Sequence, residues 1–243
     1  MSRLLSAIMA RSVNATREAA QRERGLSLPE LLVTMFLLGL ISTMVLTLVV
    51  TVNRTFTRDR AATDSSTTAA IGMNELTRVI RSGTELRVQG QPLNDPVFVA
   101  AGNESVMLYA FIDTDEAVEP EPIKVRFSIN GNRELVETRW AATPVSSGGK
   151  RYWVFPASTT PTSRVVTRQI PPRAGSEPYL FTFLKEDGTA WVPPASPSKD
   201  QLREIVAVTL TLKVQADVTA RAEPVTLANS VGIPNLGISR VGP

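Results

Sequence analysis

LLVTMFLLGLISTMVLTLVVTVN, residues 31–53, holds no charge between Glu30 and Arg54. As a helix these roughly 23 residues would rise about 35 Å, enough to cross the ~30 Å hydrocarbon core of a bilayer. Apolar side chains occur all round the helical wheel, leaving no face for water. Buried helices of soluble domains seldom run so far without a charge. A cleaved secretory signal has an apolar core of about 7–15 residues followed by small residues at the cutting site. This run is longer and leaves through Thr51-Val52-Asn53-Arg54. It reads as a retained membrane-spanning helix.

Outward from this run towards the N-terminus, charge is concentrated. The 243-residue chain has a formal net charge of +3. Residues 1–25 supply all of it, with Arg3, Arg11, Arg17, Arg22 and Arg24 against Glu18 and Glu23, so the body is neutral. A nucleic-acid-binding protein would place its excess on the folded part. Here the excess borders an apolar run, as a topology signal does. Arg54, Arg58 and Arg60 follow the run, so the positive-inside rule favours a cytoplasmic N-terminus only narrowly.

At the entrance stands Arg24-Gly25-Leu26-Ser27-Leu28-Pro29-Glu30-Leu31-Leu32-Val33. This segment resembles the class III signal of type IV prepilins and type II secretion pseudopilins, in which a glycine ends a charged leader and a glutamate stands fifth in the mature chain. The resemblance implies that a prepilin peptidase cuts between Gly25 and Leu26, that the new Leu26 amine is methylated, and that Glu30 becomes the fifth mature residue. Leu26 stands where Phe is usual, and Pro29 where Val is frequent. Proline is tolerated in a first helical turn because its missing N–H would have no partner there. A charge at the centre of a bilayer costs about 2.5–3.5 kcal/mol on insertion scales. Glu30 is therefore either an interfacial residue or one half of an ion pair. The resemblance implies the pair, with the methylated N-terminus of a neighbouring subunit, strengthened by low dielectric.

Beyond Asn53 helix signals persist. No proline occurs between Pro29 and Pro92. Ala69, Met73, Leu76 and Ile80 fall on one amphipathic stripe, and Ser82-Gly83 supplies a stop. Thr63-Asp64-Ser65-Ser66-Thr67-Thr68 is a poor helix former, expected to bend or interrupt the element. A continuous helix from Pro29 to Arg81 would be about 80 Å long. From Glu85 the hydrophobic period becomes two. Strands are predicted at 105–113, 123–129, 133–140, 151–155, 164–170, 179–184 and 205–214, the last of them internal to its sheet. Asn130-Gly131 is the strongest hairpin-turn signal. Segments 143–149, 156–163, 171–178 and 193–199 read as Pro- and Ser-rich surface loops. The expected fold is α+β: a long N-terminal helix, membrane-spanning in its first half, packed on one antiparallel β-sheet domain. The expected divisions are a leader at 1–25, a transmembrane and stalk helix at 26–84 and a β head at 85–243. Val106–Tyr109, Val125–Gly131 and Val225–Asn229, in that order, resemble the larger minor pilins and pseudopilins of the J or W type.

Chemistry is thinly represented. The chain has no cysteine and no histidine, which excludes disulfides, thiolate nucleophiles, imidazole bases and the common zinc sites. Asp113, Asp115, Glu116, Glu119 and Glu121 form the densest carboxylate cluster, but they lack the glycine and terminal glutamate of a calcium loop. Trp140, Trp153 and Trp191, with Tyr109, Tyr152 and Tyr179, could stack on bases or sugars, though core and hairpin positions suit most of them better. Gly148-Gly149-Lys150 lacks the spacing of a phosphate loop. No cofactor, metal or catalytic group is expected, and the chain reads as a non-enzyme. The expected role is a minor pilin or pseudopilin that initiates or caps a type IV pilus-like filament or secretion pseudopilus. Its partners would be other such subunits, the prepilin peptidase and the assembly platform. It would be a single-pass membrane protein with a cytoplasmic N-terminus before processing, and would afterwards belong to an extracytoplasmic filament. Gly39, Ser42 and Thr43 would permit close helix packing. The alternative is a permanently anchored surface module that captures DNA, a surface or another ligand.

Overall fold

The computed structural model of the chain describes residues 27–112, 121–216, 223–234 and 236. The chain divides into two compact units that meet between Phe56 and Thr57. One 54-residue helix, α1 (Leu28–Arg81), contributes to both. In the first unit it buries nothing, since every residue from Ser27 to Arg60 is exposed.

In the second unit α1 has an inward face. Ser65, Ala69, Gly72, Met73, Leu76, Val79 and Ile80 are buried, at the spacing of a 3.6-residue period. This includes the whole predicted stripe. The Thr63–Thr68 stretch does not interrupt the element. The Thr63 and Ser65 hydroxyls donate to the carbonyls of Asp59 and Ala61, both at 2.9 Å. Ser65 then accepts the Ala216 amide at 2.9 Å, so tertiary contact outweighs weak propensity. The helix ends where expected. The Ser82 and Gly83 amides donate to Arg78 and Ile80 carbonyls, while Arg78 and Arg81 in the last turn oppose the negative end of the dipole. Leu76 is fully buried, and its truncation to alanine is expected to cost about 2–5 kcal/mol.

The β region is not one sheet. A five-stranded antiparallel sheet has the order β1 (Phe98–Ala101), β2 (Ser105–Ala110), β3 (Ile123–Ile129), β4 (Leu135–Ala141), β7 (Thr162–Thr167). A four-stranded sheet has the order β11 (Val225–Gly232), β10 (Ala207–Val214), β8 (Phe181–Leu184), β9 (Ala190–Trp191). A separate hairpin joins β5 (Thr143–Ser147) to β6 (Lys150–Val154). Pairing breaks after β7, where Gln169 adopts φ 61 and Pro171-Pro172 removes two ladder donors. The two larger sheets share one core with α1, and Phe98 meets Phe183 edge-on at 5.7 Å. As expected, β10 is internal, paired with β8 and β11.

Three local readings need correction. The predicted 143–149 loop contains β5, and its apparent phosphate-loop glycines form the tight turn of that hairpin. Ser147 pairs with Lys150, and Gly148 and Gly149 lie at φ 58 and 74, the primed turn that only glycine adopts readily. The hairpin signalled by Asn130-Gly131 does join β3 to β4, but through a three-residue loop. Asn130 pairs with Glu134, and the left-handed position falls on Arg133 at φ 57. Finally, a short helix, α2 (Lys199–Arg203), follows the predicted 193–199 loop, nucleated by a reciprocal capping box between Ser198 and Gln201.

Candidate functional site

The first turn of α1 opens with the Leu31 amide donating to the Ser27 carbonyl at 3.0 Å. Pro29 lies where no amide is needed, and Glu30 is exposed in this turn, favourably placed against the positive end of the dipole. Further along, the threonine hydroxyls satisfy themselves. Thr43 donates to Gly39, Thr47 to Thr43, Thr51 to Thr47 and Thr55 to Thr51, at 2.5, 2.8, 2.8 and 3.1 Å. Each polar group is thereby fed to the helix's own backbone, as an apolar medium requires.

Each i, i+4 step drifts about 40° round the helix, so Gly39, Thr43 and Thr47 share a face that Thr51 and Thr55 progressively leave. A Cβ added at Gly39 would meet nothing within 4 Å. Of the residues named from sequence, Gly39 and Thr43 share this face and Ser42 adjoins it. Glu30 precedes Gly39 by nine residues, about two and a half turns, and so projects from the opposite side. Sequence reasoning missed Thr47, Thr51 and Thr55, although their regular spacing was visible. Gly25 and Leu26 lie outside the described residues. Among those described, α1 is the one helix long and apolar enough to cross a membrane, and its most apolar window has a mean hydropathy of 2.4.

Residues 20–46 match the family model for the prokaryotic N-terminal methylation motif. The chain carries a type IV pilin-like leader motif. The matched span takes in Gly25, Leu26, Glu30, Gly39, Ser42 and Thr43. No curated protein and no solved structure matches the chain. The motif implies processing by a prepilin peptidase and membrane assembly with other pilins. The α+β architecture, a long N-terminal helix with antiparallel sheets, is pilin-like.

Among the described residues of the β region, charged groups mostly serve packing. Glu137 is completely buried on the core face of β4. Arg139 and Arg164 hold it through their Nε atoms, and both also reach Glu75 of α1. Arg78 closes the cluster on Glu75 at 2.7 Å. Burial alone would raise the Glu75 carboxyl, but the Arg78 hydrogen bond and the charges of Arg78, Arg164 and Arg139 outweigh it and hold the pKa below the ordinary value. These five residues tie the Glu75–Arg78 turn of α1 to the β4–β7 edge.

A depression of about 130 Å³ lies beside Arg133. The Arg133 guanidinium donates to the Ile170 and Pro171 carbonyls at 3.1 and 3.0 Å and pairs with Glu104 at 3.2 Å. Its other cations are engaged too: Lys213 pairs with Glu177, and Arg173 lies over the Tyr179 ring. Of the acidic cluster, residues 113–120 lie outside the described residues. Among the described residues no group of three or more carboxylates is placed to hold a metal. Trp191 is in the core, Trp153 is on the β6 hairpin, and Trp140 is half-buried on β4.

Proposed function

We propose that the chain is a minor pilin or pseudopilin, a structural subunit that helps initiate or cap a pilus-like filament or secretion pseudopilus after its leader is removed. The observation that carries this reading is the coincidence of the methylation motif with a helix exposed on every side from Ser27 to Arg60. Such a surface is stable only in lipid or against other apolar helices. In this reading residues 1–25 are the leader, 26–84 the transmembrane and stalk helix and 85–243 the head. The peptidase cuts between Gly25 and Leu26 and methylates Leu26. Glu30 then pairs with the methylated amine of a neighbouring subunit while the Gly39–Thr43 face, with Ser42, accepts another helix. Because Glu30 and Gly39 project from opposite sides, the two contacts engage different neighbours. Extraction from the bilayer falls to the assembly platform, so the chain itself needs no nucleotide site.

The test compares Glu30→Ala with the native chain in a host that assembles the filament. The variant is expected to be processed and inserted normally but depleted from the filament fraction. Normal incorporation would remove Glu30 from the mechanism. A permanently anchored module would never enter that fraction in either form.

A further inference from the structure

Strand alternation gives the five-stranded sheet a second face, turned away from the core. Val106, Leu108, Ala110, Val125 and Phe127 point inward and are buried, so Tyr109, Lys124 and Arg126 point outward. Register aligns them further. Tyr109 lies opposite Lys124, and Lys124 lies opposite Trp140, one row across three strands. Phe155, just after β6, folds over this row and stacks on Tyr109 at 5.3 Å with an interplanar angle of 22°. Lys124 Nζ lies 5.0 Å from the Trp140 centroid and 5.3 Å from that of Phe155, and the Arg126 guanidinium lies 5.7 Å from Trp140.

Cross-strand and cation–ring contacts stabilise a sheet by about 0.5–1 kcal/mol each, but they do not account for this composition. Lys124 and Arg126 crowd one indole with like charge, and neither forms an ion pair among the described residues. Residues 138–176, which include β4 from Thr138, both strands of the hairpin and β7, contain no Asp or Glu. Asp95, whose charge is felt at Tyr109, is itself paired with Lys199. Burial, with Asp95 second, pushes the Tyr109 phenol up to about 12, so the ring stays neutral.

We propose that this face binds single-stranded nucleic acid, with bases stacking on Trp140 and the Tyr109–Phe155 pair and phosphates held by Lys124 and Arg126. A neutral sugar would use the rings and leave the cations idle. An acidic peptide would use the cations and leave the rings idle. A single strand presents flat bases and phosphates in alternation and engages both kinds of group. The net charge of the body is neutral, so affinity depends on this local pairing rather than on a long-range field. The site lies wholly in the head and does not depend on the chain's assembly role.

The test uses the full chain in non-ionic detergent micelles with a labelled oligothymidylate. Saturable binding is expected, weakened by salt and accompanied by quenching of tryptophan fluorescence. Trp140→Leu should weaken binding about 5- to 150-fold, the range for one lost stacking partner, and remove most of the quench. Arg126→Gln, at an exposed position with little risk to folding, should lower the salt slope by about one. Absence of binding would overturn the proposal. So would equal binding of duplex DNA or heparin with no dependence on Trp140, which would mark a polyanion surface. Selective binding of an acidic peptide would also overturn it.

Discussion

Two glycines separate what packing demands from what a turn demands. A Cβ at Gly72 would overlap the Thr167 hydroxyl and come within 2.9 Å of Leu212. Gly72→Ala is therefore expected to destabilise the head by about 1–3 kcal/mol, read as a lower melting temperature. Gly131 lies in open space without a positive φ. Gly131→Ala should leave stability unchanged or raise it by up to about 1 kcal/mol, because alanine restricts the unfolded chain. A large loss there would mean that the Asn130-Gly131 pair forms the primed turn its sequence suggests. The reason it does not is tertiary. Arg133 accepts the left-handed position because its guanidinium is anchored on the Ile170 and Pro171 carbonyls, 37 and 38 residues away, and no local pattern records that.

At the level of elements, the cluster around Glu75 makes the docking of α1 on the sheet edge depend on pH. The folded pKa of Glu75 is depressed, so its contribution is present above the ordinary value of 4.5 and is lost as the pH falls through and below it. Thermal melting of the native chain and Glu75→Gln should differ most near pH 7 and converge below pH 4.5, whereas parallel curves would deny Glu75 this role. The membrane half of α1 behaves differently. Gly39→Leu and Thr47→Leu lie on the exposed part of α1, where Thr47 bonds only to its own helix, and should leave melting nearly unchanged while lowering recovery in the filament fraction. Unimpaired assembly would show that this face is not a contact. The α1 stripe and seven of the strands were legible because their hydrophobic periods are long and regular. β5, β11 and the short strands β1 and β9 were not, since Pro, Ser, Asn and Ala dilute the alternation. The division into separate sheets was hidden as well, because pairing order is set by contacts between distant segments rather than by local period.

For the whole molecule, the two ends of the problem were unequally visible. The leader and the span are local patterns, a glycine, a glutamate and an uncharged run, and the methylation motif coincides with them at residues 20–46. The buried carboxylate of Glu137 and the outward row of Tyr109, Lys124 and Trp140 exist only once strands from three parts of the chain are in register. Assembly as proposed depends on removal of the leader. Mass spectrometry of the chain purified from its own membranes, with and without the host's prepilin peptidase, tests this most directly. A terminus at Leu26 bearing one methyl group is expected, converted to the uncut form when the peptidase is deleted. A terminus at Met1 in both strains, on protein that still enters the filament, would contradict it.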